Sequence, residues 1–123
     1  LPVAFRVQRN GLRLTFSEPL DPTWANDPEN YGLEQWNYRY AAEYGSKEYS
    51  ARRPDVEGHD SVELRRATLL EDGRTVFLEI ADLRPVMQFQ VQYDLADKGG
   101  ATVRGKLIAT INRLGSAFEP GAR

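Results

Sequence analysis

Apolar and polar residues alternate along most of this chain with a period of two, the spacing of half-buried strands. Ala4-Phe5-Arg6-Val7-Gln8 and Leu12-Arg13-Leu14-Thr15-Phe16 lie on either side of Asn10-Gly11. Asn-Gly is a strong hairpin signal, because both central positions of a type I′ turn need positive φ. The pattern predicts a hairpin with Phe5, Val7, Leu12, Leu14 and Phe16 on its inward face. Pro19 ends the second strand, since it cannot donate to a ladder. Asp21 or Thr23 is placed to cap a short helical turn that begins at Pro22. Tyr31 to Tyr40 alternates as an aromatic strand with Trp36, Tyr38 and Tyr40 on one face. Four more alternating runs follow, 61–69, 75–80, 86–95 and 103–114, separated by the turns Glu71-Asp72-Gly73-Arg74, Asp82-Leu83-Arg84-Pro85 and Asp97-Lys98-Gly99-Gly100.

About seven strands joined by short turns, with no amphipathic helix, predict an all-β fold. The expected architecture is an antiparallel two-sheet sandwich of the immunoglobulin or fibronectin type III kind, with one long loop insertion. Its expected core is Phe5, Leu14, Phe16, Trp36, Leu64, Val76, Leu78, Phe89, Val91 and Ile111, with Trp36 as the large central residue. The insertion is 41–61, polar and without a sustained period, punctuated by Gly45, Pro54 and Gly58. Loops of that length are usually functional or mobile. Residues 41–60 are therefore expected to be the most mobile internal part, open to proteolysis near Arg52-Arg53. The sandwich is assigned to 1–114, and the Gly/Pro-containing stretch 115–123 reads as a flexible tail or linker.

Composition narrows the function more than the fold. A chain of 123 residues is one domain. Sixteen basic residues against eighteen acidic ones give a net charge of −2, without the basic footprint of a nucleic-acid binder. No apolar run approaches the ~20 residues of a membrane span. There is no cysteine, hence no disulfide, thiolate metal site or thiol nucleophile, and a single histidine, His59, would have to serve any triad. The absence of cysteine does not assign a compartment.

Three ordered stretches, Gly11-Leu12-Arg13-Leu14-Thr15-Phe16-Ser17-Glu18-Pro19-Leu20-Asp21, then Asn30-Tyr31, then Asp72-Gly73-Arg74-Thr75-Val76-Phe77-Leu78, resemble bacterial Ig-like domains. The segment Gln35-Trp36-Asn37-Tyr38-Arg39, with Tyr44-Gly45-Ser46 and Tyr49-Ser50, is similar to C-terminal modules of large secreted multidomain proteins of Planctomycetes and Verrucomicrobia. Those proteins join cytochrome c-like and sugar-dehydrogenase-like domains. The resemblance implies a non-catalytic accessory module of a larger secreted or periplasmic protein. It carries no catalytic residue and no cofactor to this sequence.

The unusual chemistry is the tyrosine-rich stretch. Tyr38, Tyr40, Tyr44 and Tyr49, with Arg52 nearby, could form a binding surface for sugar or protein, since aromatic rings stack on flat apolar faces and the polar neighbours fix orientation. The competing reading is packing, which is the commoner fate of aromatic strands. His59 with Asp55, Glu57 and Asp60 offers metal-ligand chemistry without a fixed geometry, and a solvated acidic loop is the favoured reading. Asp21, Asp27 and Glu29 match no calcium loop. No nucleophile elbow and no phosphate loop is present. The expected function is thus domain packing or protein interaction without turnover, cofactor or metal. The expected partners are neighbouring domains of the parent protein, with no nucleic acid and no membrane insertion. The alternative is a carbohydrate-binding module for extracellular polysaccharide.

Overall fold

The alternating runs become two antiparallel sheets packed face to face. The computed structural model describes residues 2–41, 45–111, 114, 115 and 118, with the backbone alone for 3, 39–41, 45 and 46. Its strands are β1 (Pro2–Gln8), β2 (Gly11–Phe16), β3 (Tyr31–Ala41), β4 (Gly45–Tyr49), β5 (Asp60–Ser61), β6 (Leu64–Leu69), β7 (Thr75–Ile80), β8 (Val86–Ala96) and β9 (Thr102–Ile111). The first sheet has the order β1-β2-β7-β6, and the second β4-β3-β8-β9, with β5 also paired to β3. The first order and the run β3-β8-β9 follow the strand plan of an immunoglobulin-type sandwich, with β4 as an added edge. One helical turn, α1 (Pro22–Ala25), closes the second connection, and the Asp21 carboxylate caps it by accepting the Thr23 N–H at 2.9 Å.

Register decides which side chains meet in the core. Leu12 lies opposite Leu78 and Leu14 opposite Val76, all fully buried. In the second sheet Tyr31 faces Tyr93 and Leu33 faces Val91. The two layers meet where Phe16 packs edge-on against Tyr93, ring centres 5.2 Å apart. Each such buried Leu, Val or Phe stabilises the fold by about 1.5–3 kcal/mol. Of the expected core, Leu14, Phe16, Val76, Leu78, Phe89, Val91 and Ile111 are buried there, and Phe5 and Leu64 pack half-buried against them.

Trp36 departs from expectation. It is buried, at 4% exposure, but outside the central core cluster. Pairing of Gln35 with Phe89 and of Trp36 with Gln88 turns Gln35 inward and Trp36 outward. The central position on β3 is therefore taken by Gln35, fully buried, while Trp36 is covered from outside the sandwich.

Three further differences have physical causes. The first hairpin pairs Gln8 with Gly11, so the turn is Arg9-Asn10 and Gly11 already lies in β2. Gly11 does not adopt positive φ; it is needed because a Cβ there would stand 2.1 Å from the Leu78 carbonyl oxygen. Gly73 and Gly100, at φ +71° and +88°, supply the left-handed turn positions instead. The insertion expected to be irregular contains β4 and β5, both hydrogen-bonded to one edge of β3. Finally Phe118, in the stretch read as a tail, packs 5.0 Å from the Phe77 ring, while its backbone N–H and C=O both bond the Asn10 amide.

Candidate functional site

The outer face of the second sheet collects most of the unexplained chemistry. Alternation from the core residues places Glu34, Trp36 and Tyr38 on it from β3, and Gln88, Gln90 and Gln92 from β8. From β9 it receives Lys106 and Ile108, which face Gln92 and Gln90. A bulge between Val86 and Phe89 then sets Met87 and Gln88 between two inward residues, so both stand away from the core. Met87 replaces the missing ladder bonds there: its N–H donates to Asn37 Oδ1 at 2.8 Å, and its sulfur accepts the Tyr38 N–H at 3.1 Å. Tyr38 and Met87, in contact at one end of this face, are 38% and 48% exposed, and Ile108, 45% exposed, lies further along β9 opposite Gln90.

Next to them the returning segment 50–59 covers Trp36. The His59 ring lies flat on the indole, centroids 3.7 Å apart and planes 6° from parallel. Its Nδ1 is 2.9 Å from Glu34 Oε1, and its Nε2 bonds Glu48 Oε1. Burial acts to lower the His59 pKa, but the hydrogen bonds and charges of Glu48 and Glu34 outweigh it and hold it above the ordinary 6.5.

Asp60, one residue on, turns to the other side and organises the same segment. Its carboxylate accepts from the Ser50 hydroxyl, from the backbone N–H groups of Ala51 and Arg52 at 3.0 and 3.1 Å, and from Gln35 Nε2 at 3.2 Å. Burial alone would raise its pKa; these four donors overcome that and hold the carboxyl below its ordinary range. Ser50 in turn accepts the Arg53 N–H, and the Ser50 and Gly58 N–H groups donate to Val56 and Glu48 carbonyls.

Of the residues singled out from sequence, Tyr38 and Tyr49 do not share one face. Tyr38 is exposed on the outer face. Tyr49 pairs with Asn37, which turns it to the opposite face from Tyr38, and it is half-buried. Tyr40 pairs with Ser46 in the β3–β4 ladder, and Tyr44 lies outside the described residues. Arg52 is exposed, with Nε 4.0 Å from Asp82. His59 and Asp60 diverge to opposite sides of the edge, and among the described residues no three His, Asp or Glu side chains are grouped to hold a metal.

Sequence reasoning missed Met87, Ile108 and the Glu34–His59–Glu48 arrangement. The glutamines at 88, 90 and 92 were legible as the polar phase of β8. The bulge that exposes Met87 was not, because it arises from register rather than residue type. A shallow open groove of about 630 Å³ continues the outer face past Gly32, between Asn30, Gln92, Arg104 and Lys106. Compared with known proteins, the chain matches no family model and no curated sequence.

Proposed function

We propose that this chain is a non-catalytic interaction module of a larger secreted or periplasmic protein, and that it packs against a neighbouring domain through the outer face of its second sheet. The observation that carries the reading is the exposed pair Tyr38 and Met87, with Ile108 further along the same face, beside a row of glutamines. Exposed aromatic and Met side chains beside uncharged glutamines suit a contact patch, where aromatic residues and Met are enriched. The likeness to bacterial Ig-like accessory modules points the same way. Carbohydrate binding is the weaker reading, because stacking on a glycan needs a flat, open aromatic row. Trp36 is covered by His59, Tyr31 and Tyr93 are buried, and exposed Trp24 stands apart on α1.

The test is calorimetric titration of the adjoining domain of the parent polypeptide, and separately of soluble polysaccharides, into the native chain and a Met87→Glu, Ile108→Glu double variant. The expected result is binding of the domain that the variant loses by tenfold or more, about 1.4 kcal/mol. Binding that the variant keeps in full moves the contact elsewhere, and saturable binding of a polysaccharide alone favours the glycan reading.

A further inference from the structure

His59 closes the Trp36 face in a way that specifies a ligand. Ionised carboxylates only accept hydrogen bonds, so a ring that bonds Glu34 through Nδ1 and Glu48 through Nε2 must carry a proton on both nitrogens. Only the imidazolium does. An indole face with a carboxylate at each side suits a flat cation whose donors lie in its own plane.

We propose that Trp36, Glu34 and Glu48 form a planar-cation site that this chain fills with its own His59, and that loss of the His59 proton vacates it for an arginine side chain of a partner. A guanidinium is planar, donates in its plane, stacks on aromatic rings and keeps its charge where an imidazolium has lost it. The resident ring and the incoming side chain thus satisfy the same groups at different pH. Docking at Tyr38, Met87 and Ile108 does not depend on this exchange.

The surrounding charges leave His59 as the group that switches. Glu34 on β3 and Glu48 on β4 face it directly. On its own segment Glu57 is paired with Lys47 at 3.3 Å, and Asp60 is held on the far side by Ser50, Gln35 and two backbone amides. From β8 the neighbours opposite Trp36 and Glu34 are the uncharged Gln88 and Gln90. Because the two carboxylates hold the folded-state value above 6.5, closure is complete below that pH and is lost as pH rises through the raised value. Release frees the last residues of 50–59, while the Asp60 contacts keep the start of the segment in place.

The experiment reads Trp36 alone, in a Trp24→Phe chain, since these are the two tryptophans. Raising the pH from ~6 to ~9, the range in which histidine titrates, is expected to shift its emission to the red with far-UV dichroism unchanged. His59→Gln in the same background is expected to lack the transition. N-acetylarginine amide titrated into the Trp24→Phe, His59→Ala chain is expected to perturb the emission saturably, N-acetyllysine amide much less, and Glu34→Gln with Glu48→Gln to abolish the response. Should the alanine variant unfold, the same titration is made on the Trp24→Phe chain at high pH, where the site is open. Emission independent of pH, or no saturable response to the arginine amide in a folded open chain, overturns the proposal.

Discussion

At the scale of single residues, two close approaches do more than composition suggests. Gly11 is held to glycine by the Leu78 carbonyl and the Phe77 ring, not by a turn. Gly11→Ala is expected to cost about 1–3 kcal/mol, the range for forcing a methyl into a packed site, measured as a drop in the urea midpoint with an unchanged slope. Asn-Gly correctly announced a hairpin, yet the reason for the glycine was invisible, because the β2–β7 contact spans 67 positions in sequence, from Gly11 to Leu78. Trp36 teaches the same lesson in reverse. Its alternation with Tyr38 was legible, but alternation assigns residues to two faces without saying which face is the core. The next residue back, Gln35, takes the inward side, where its Nε2 reaches Asp60.

At the scale of elements, strands with an apolar face were readable and the edge was not. β2, β7 and β8 each bury a full apolar phase, so their text carries a period of two, broken at Phe77, buried from the outer face under Phe118, and at the Met87 bulge. β4 reads Gly-Ser-Lys-Glu-Tyr and is held by its ladder to β3 rather than by burial, so periodicity is silent there. The segment after it is likewise held by polar bonds that converge on Asp60. This changes the expectation for proteolysis at Arg52-Arg53: the native chain should be cut slowly, and Asp60→Ala much faster, because four donors lose their acceptor. A time course with trypsin at neutral pH checks it, and equal rates would contradict it. The linked effect of acid has a definite sign. Asp60 titrates below its ordinary value of 3.8 in the folded chain, so its contribution is whole above that pH and is lost as pH falls through the lowered value. Asp60→Asn should therefore flatten the acid limb of the stability profile below pH 3.8.

At the scale of the whole molecule, a sandwich buries one face of each sheet and leaves the other to water or to a partner. The first sheet's outer face is partly covered within the chain, where Phe118 lies over Phe77 and under the Arg13 guanidinium, 4.4 Å from its ring centre. On the second sheet Tyr38 and Met87 at one end, and Ile108 further along, stay exposed among the described residues, and that asymmetry underlies the reading of the chain as an interaction module. Met87 is the single methionine and Tyr38 the tyrosine beside it, both readily oxidised, so hydroxyl-radical footprinting reports on this end directly. The decisive measurement compares their oxidation rates in the isolated chain and in the larger multidomain protein that the proposal calls for. The account expects both to fall severalfold in the parent while exposed Trp24, on α1, stays as reactive as before. Unchanged rates at Met87 and Tyr38, with both proteins folded, would contradict it.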